Sequence, residues 1–129
     1  MKVLDSDIII DFLNNVPATI AKIGELTDSG EELATTVFNE QEVLYGVLKP
    51  KRKNIEVVKQ FFDSLNVLSY DRNCISNVVE IIIDLENRGL PIGDMGVLIA
   101  GLCLTRKAKI VTRNVEHFSR IKNLKVEAW

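Results

Sequence analysis

The chain has 129 residues, 47% of them hydrophobic, enough for one domain with a real core and no disulfide staples. A formal net charge of −2 argues against a bulk electrostatic nucleic-acid binder. No apolar run approaches the ~18 residues of a membrane span, and no charged segment leads into an apolar stretch as in a signal peptide. Cys74 and Cys103 sit among apolar neighbours at no metal-like spacing and read as buried, reduced thiols, which suits a cytoplasmic protein.

In chain order, apolar periodicity predicts a strand at 2–4, helices at 7–14 and 17–28, and a strand at 33–36. Helices at 38–48 and 52–64, a strand at 66–68 and helices at 72–88 and 95–106 follow. The chain closes with a strand at 109–112, a short helix at 115–120 and a strand at 124–127. Short strands alternating with helices imply an α/β fold, a central and mostly parallel sheet of about five short strands flanked by helices. The whole of 1–129 is expected to form a single domain. Pro17 suits a first helical turn, Pro50 a break, and Gly89 a helix stop before Pro91. Val78, Val79, Ile81, Ile82, Ile83 and Leu85 are apolar almost all round, so that helix is expected to be buried on more than one side.

The opening KVLDSDIIIDFL is the most informative segment. It places Asp5 at the exit of a buried strand, where an acid has no packing use and where open α/β sheets bind ligands. A helix cap explains Ser6 or Asp7 well and Asp5 poorly. A carboxylate at that edge suits a hard cation such as Mg²⁺. In a parallel sheet three more segments converge on the same edge. TTVFNEQEVLYGV carries Glu40 and Glu42 on early helical turns, GLPIGDMGVLIAGLCL runs from a loop into a helix, and KIVTRNVEHF ends a strand in Thr112, Arg113 and Asn114. Cations cluster at Lys49, Lys51, Arg52 and Lys53, and again from Arg106 through Lys107, Lys109, Arg113, Arg120, Lys122 and Lys125. They read either as solvated surface or as the border of a groove for a polyanion. The only histidine, His117, cannot make a histidine-based metal site and is expected on a short, partly exposed helix.

These segments resemble the PIN-domain family, and in particular VapC-type toxins of toxin–antitoxin pairs, over essentially the whole chain. VLDSDIIIDFL is similar to the first motif, whose first Asp is a metal ligand, here Asp5. NEQEVLYGV is similar to the second, whose ligand is the acid before the Val-Leu-Tyr-Gly run, here Glu42. PIGDMGVLIAGLCL and IVTRNVEHFSRIKNLKVEAW are similar to the third motif and the C-terminal segment. The resemblance implies a cytoplasmic endoribonuclease that uses Mg²⁺ or Mn²⁺ to hydrolyse RNA phosphodiesters, leaving 5′-phosphate and 3′-hydroxyl ends. It implies an antitoxin protein as partner and a homodimer, with no membrane.

The chain departs from the family pattern at Gly96, where the third acid is expected. Asp94 is the substitute in sequence, as a ligand directly or through water, with helix capping as its default role. Positions 94 and 96 on one helix point ~200° apart, which opposes substitution. Asn114 stands where many family members carry an Asp, and joins Asp5, Glu42 and Asp94 as a candidate catalytic residue. Arg113 and Thr112 are candidates for substrate contact, and Asp7 reads as a cap and a support to the ligands. Gly96 implies a nuclease that is weakened or disabled, by nature or by replacement of an Asp. Two alternatives follow. One is a catalytically silent protein that binds RNA or its antitoxin. The other is a haloacid-dehalogenase-like phosphatase, whose opening Asp-x-Asp the chain shares.

Overall fold

Short runs of Val, Leu, Ile and Thr make the strands, and their two-residue alternation sends neighbouring side chains to opposite faces of the sheet. The computed structural model describes residues 1–51 and 54–129. Arg52 and Lys53, which hold part of the basic cluster and the expected start of a helix at 52, lie outside the described residues. The strands are β1 (Lys2–Leu4), β2 (Leu33–Thr36), β3 (Asn66–Leu68), β4 (Lys109–Thr112) and β5 (Val126–Ala128). They form one sheet in the order β3-β2-β1-β4-β5, with every pairing parallel. The α/β architecture expected from the sequence is therefore the observed one, with β5 displaced by one or two residues.

The helices are α1 (Ser6–Leu13), α2 (Pro17–Asp28), α3 (Val37–Leu48), α4 (Ile55–Asp63), α5 (Ile75–Arg88), α6 (Asp94–Thr105) and α7 (Val115–Phe118), with a 3₁₀ turn at Arg72–Cys74. None among the described residues is long and apolar enough to cross a membrane. Val3, Ala34, Leu68 and Ile110 face α5 and α6, meeting Val78, Ile81, Ile99 and Leu102. Leu4 and Val111 face the other way, onto Ile8 and Ile9 of α1, Val43 of α3, and Val58 and Phe62 of α4. The central strands are thus clamped between two apolar layers, as a parallel sheet requires.

The chain runs outward from β1 through β2 to β3, then returns to the other side of β1 for β4 and β5. The strand order therefore reverses between β1 and β4. A crevice opens at such a point beyond the carboxyl ends of the strands, because the connections leave in opposite directions. Asp5 and Thr112 sit on either side of it.

Helix α5 differs from expectation. Val78, Ile81 and Leu85 are buried, whereas Ile75, Val79, Ile82 and Ile83 are 40–53% exposed. The helix packs one face on α6 and leaves its other apolar face on the surface. Gly89 closes α5 as foreseen, at φ +64°, with its N–H on the carbonyls of Leu85 and Glu86. The tightest packing is between α5 and α6. A Cβ on Gly101 would stand 2.3 Å from Val78 Cγ2 and 3.3 Å from the Val78 main-chain nitrogen. Gly101→Ala is expected to lower stability by ~1–3 kcal/mol in urea titrations, as overpacked cores do. Adding Val78→Ala recovers part of the loss, because the nearest clash is with the Val78 side chain.

Candidate active site

The peptide N–H of Asp5 still bonds to the Val111 carbonyl at 3.0 Å, which continues the β1–β4 ladder one residue past the strand. Its side chain then turns back over the start of α1. Asp5 is itself the N-cap of that helix, Oδ1 accepting from the Ser6 N–H at 2.9 Å. This corrects the reading that gave the cap to Ser6 or Asp7. One residue both starts the helix and supplies the acid.

Asp5 is only 8% exposed, and three elements hold it. Oδ1 also accepts from Asn39 Nδ2 on α3 at 3.0 Å, and Oδ2 accepts from the Thr112 hydroxyl on β4 at 2.7 Å. Glu42 lies one turn beyond Asn39 and is exposed; its Oε2 accepts from the Ser6 hydroxyl at 3.1 Å. Burial pushes the Asp5 carboxyl above its ordinary value. The Thr112 hydrogen bond partly offsets the rise, and the charges of Asp7 and Glu42 add to it.

Asp7 is not a cap. Its Oδ2 accepts from the Arg113 N–H at 2.9 Å and lies 3.4 Å from the Thr112 hydroxyl, so it ties α1 to the end of β4. Its Oδ1 is buried with no hydrogen-bond partner. Thr112 is fully buried, with its hydroxyl committed to Asp5 and accepting from the Asn114 N–H. The expected substrate contact for Thr112 gives way to a role in orienting the carboxylate. The Arg113 side chain is exposed and pairs with Asp11 at 3.3 Å. Asn114 is exposed, and its amide nitrogen meets His117 Nδ1 at 2.9 Å. His117 is an exposed residue of a short helix, as expected.

The third acid is not assembled. Helix α6 begins at Asp94, with Gly93 as its cap, and the capping bond foreseen for Asp94 is not made. Asp94 is exposed on the first turn. Gly96 sits against Ile92, whose Cδ1 would lie 3.3 Å from an added Cβ. Among the described residues no three His, Cys, Asp or Glu side chains group closely enough to hold an ion. The structure joins Asp5 to Glu42 through Ser6, and among the described residues no side-chain hydrogen bond links Asp94 or the Asn114 amide to either acid.

The basic segments admit two readings, solvated surface or groove border, and the described residues of the C-terminal segment do not gather on one surface. Lys109 and Lys125 lie at the start of β4 and Arg113 past its end, on opposite edges of the sheet. Arg106, Lys109, Arg120 and Lys122 are paired with Asp71, Glu127, Glu116 and Asp84. Arg113 is the cation this segment contributes to the site. The two cysteines are free and buried, and burial, with the Asp5 charge behind it, pushes the Cys103 thiol up to about 12. It is inert as a nucleophile.

Sequence reasoning overlooked Ser6 and Asn39. Thr36-x-x-Asn39 did carry a local signal, that of an N-cap and its third helical residue. Thr36 does cap α3, accepting from the Asn39 N–H at 3.2 Å. That the same Asn39 amide reaches β1 is a tertiary fact.

The oxygen-only donors fit a hard divalent cation in kind. Mg²⁺ commonly takes one or two protein carboxylates and leaves its other positions to water and substrate phosphate, so Asp5 and Glu42 satisfy what it asks of a protein. The fold is that of an α/β protein with acidic side chains gathered at the carboxyl edge of its sheet, the edge at which such folds bind ligands.

The family model described as PIN domain matches residues 2–124. The chain is 31% identical to Ribonuclease VapC2 of Rickettsia felis over 128 residues, which cover 98% of this chain and 96% of the relative. It is also 31% identical to the tRNA(fMet)-specific endonuclease VapC of Salmonella typhimurium, again covering 98% and 96%. Among solved structures, DNA-bound VapBC from Salmonella typhimurium superposes with a TM-score of 0.86 at 30% identity, covering 99% of this chain and 97% of that one. VapBC2 from Rickettsia felis, bound to a promoter DNA fragment, superposes with a TM-score of 0.85 at 29% identity, covering 99% and 98%. The chain belongs to the PIN-domain family, in its VapC branch. This membership replaces the haloacid-dehalogenase-like alternative.

Because burial and two like charges raise the Asp5 carboxyl, its ionised form disfavours the folded state. That cost is absent below the unfolded value of about 3.9 and is complete once pH has risen past the folded value. Without divalent ions at neutral pH, Asp5→Asn is expected to unfold at a higher temperature than the unsubstituted chain. The difference shrinks as pH is lowered toward 4 in melts followed by circular dichroism.

Proposed function

We propose that this chain is a metal-dependent endoribonuclease, the toxin of a VapBC-type toxin–antitoxin pair, hydrolysing RNA phosphodiesters at an acidic Mg²⁺ or Mn²⁺ site. The observation that carries the reading is the Asp5–Ser6–Glu42 arrangement at the point where the strand order reverses, with Asn39 and Thr112 holding the buried acid. Membership in the VapC branch supports the ribonuclease class. Solved relatives that are toxin–antitoxin complexes support a protein partner.

In this reading Asp5 and Glu42 hold the ion. A divalent cation there supplies Lewis acidity toward the phosphate and lowers the pKa of water. Thr112 and Asn39 fix both oxygens of Asp5. Arg113, at the rim, meets a backbone phosphate; its exposed pair with Asp11 is worth little and is readily exchanged. Asp94 and Asn114 take no ligand role. Gly96 reduces the charge and the number of ligands, so ion affinity is lower than a third acid would give. Residues 1–129 act as one domain in the cytoplasm, where the two thiols stay reduced. A homodimer is part of the proposal, and the exposed apolar face of α5 supports it.

The test is RNA cleavage with Mg²⁺ or Mn²⁺, read beside metal titration on the same samples. The unsubstituted chain is expected to cut and to stop in EDTA. Asp5→Asn and Glu42→Gln are each expected to slow cleavage by at least about 100-fold, or ~2.7 kcal/mol of barrier. Gly96→Asp is expected to bind the ion more tightly and to cut faster, the end of Ile92 swinging aside for the new side chain. Cutting by the Gly96→Asp variant alone makes this chain a silent binder of RNA or antitoxin. Cutting by neither form overturns the nuclease proposal.

A further inference from the structure

We propose that Asn39 is a positioning residue that locks Asp5 and Glu42 into one geometry through a hydrogen-bond chain with a single possible direction. The proposal rests on the reading of those two acids as the ion-holding pair. The direction follows from the carboxylates, which when ionised only accept. The amide group facing Asp5 Oδ1 is therefore Nδ2, and Asn39 Oδ1, on the other side, accepts from the Thr36 hydroxyl at 2.7 Å, which itself accepts from the Asn39 main-chain N–H at 3.2 Å. Nδ2 has two protons to give. One goes to Asp5 Oδ1 at 3.0 Å and the other to Ser6 Oγ at 2.9 Å. Ser6, now an acceptor, has one proton left, and Glu42 Oε2 receives it at 3.1 Å.

Flipping the amide would set its oxygen against the Asp5 carboxylate, acceptor against acceptor. Asn39 is fully buried, so water cannot repair that mismatch. Asn39 stands on the first turn of α3 and Ser6 opens α1, so one amide staples the starts of the two helices that carry the acids. Glu42, three residues on, shares Asn39's face of α3. Ligand acids held this way by neighbouring donors lose affinity when the donors are removed, typically by about 10–100-fold.

The experiment is Mn²⁺ titration of the full-length chain, with free Mn²⁺ counted by electron paramagnetic resonance and the fold checked by circular dichroism. Asn39→Leu keeps the side-chain shape and removes both donors; its Mn²⁺ dissociation constant is expected to rise about 10–100-fold. Ser6→Ala removes the branch that runs from Asn39 to Glu42, leaves the Asn39–Asp5 bond in place and is expected to give a smaller rise. The double variant is expected to bind no more weakly than Asn39→Leu, because Asn39 acts on Glu42 through Ser6. If the Asn39→Leu and Ser6→Ala variants fold and bind Mn²⁺ as the unsubstituted chain does, the proposal is overturned while the acidic site stands. If Asn39→Leu does not fold, Ser6→Ala alone decides by the same criterion. If the unsubstituted chain binds no Mn²⁺ at millimolar concentration, the acidic-site reading falls and this proposal falls with it.

Discussion

A carboxylate buried at the end of a central strand is the constraint on which the rest of the site depends. Charge taken out of water must be matched by donors, and Asp5 finds one in each of three elements: the Ser6 N–H opening α1, the Asn39 amide on α3 and the Thr112 hydroxyl on β4. Those donors do not abolish the cost, since the carboxyl remains above its ordinary value. A residue that disfavours the fold when ionised is poorly explained by stability and well explained by a site in which a cation offsets its charge.

The sheet supplies the rigidity this requires. β1 and β4 are sealed on both faces, by α5 and α6 on one side and by α1, α3 and α4 on the other. Their ends cannot drift, and Leu4, Asp5, Val111 and Thr112 keep their places. The close seat of Gly101 on Val78 shows how little slack the α5–α6 layer has. Atoms of the polar cluster lie within hydrogen-bonding distance because the layers beneath them are packed. The exposed side of the cluster, where Glu42 and Arg113 sit, is free to meet a ligand.

Gly96 changes what the protein contributes, not where it contributes it. Ile92 lies against the position, so its neighbour is apolar where the family resemblance expects a third acid. Asp94, two residues away on the same helix, points elsewhere by helical geometry alone. The remaining acids are joined by hydrogen bonds that pass through Ser6 and Asn39. The site therefore relies more on the placement of two carboxylates than on the number of charges around them.

Periodicity and composition determined a great deal here. Alternating strand and helix patterns gave the parallel α/β fold, Pro17 and Gly89 marked helix ends, Asp5 stood out because an apolar strand led directly to it, and Glu42 because its segment resembles the family's second motif. These are local properties, readable along the chain. The tertiary structure decided the rest. The apolar surface of α5 read as buried on more than one side, yet only contact with α6 determined which face was. The C-terminal cations read equally as solvated surface or as the border of a groove, and β4 carries Lys109 and Arg113 to opposite edges of the sheet. Asp5 proved to be the cap of α1 as well as the acid of the site, and Asn39, an ordinary second member of a capping pair in the sequence, proved to connect the two acids. Hydrogen-bond direction and burial depend on which groups meet across the fold, and residues 5, 39 and 112 meet only when three separate elements are packed together.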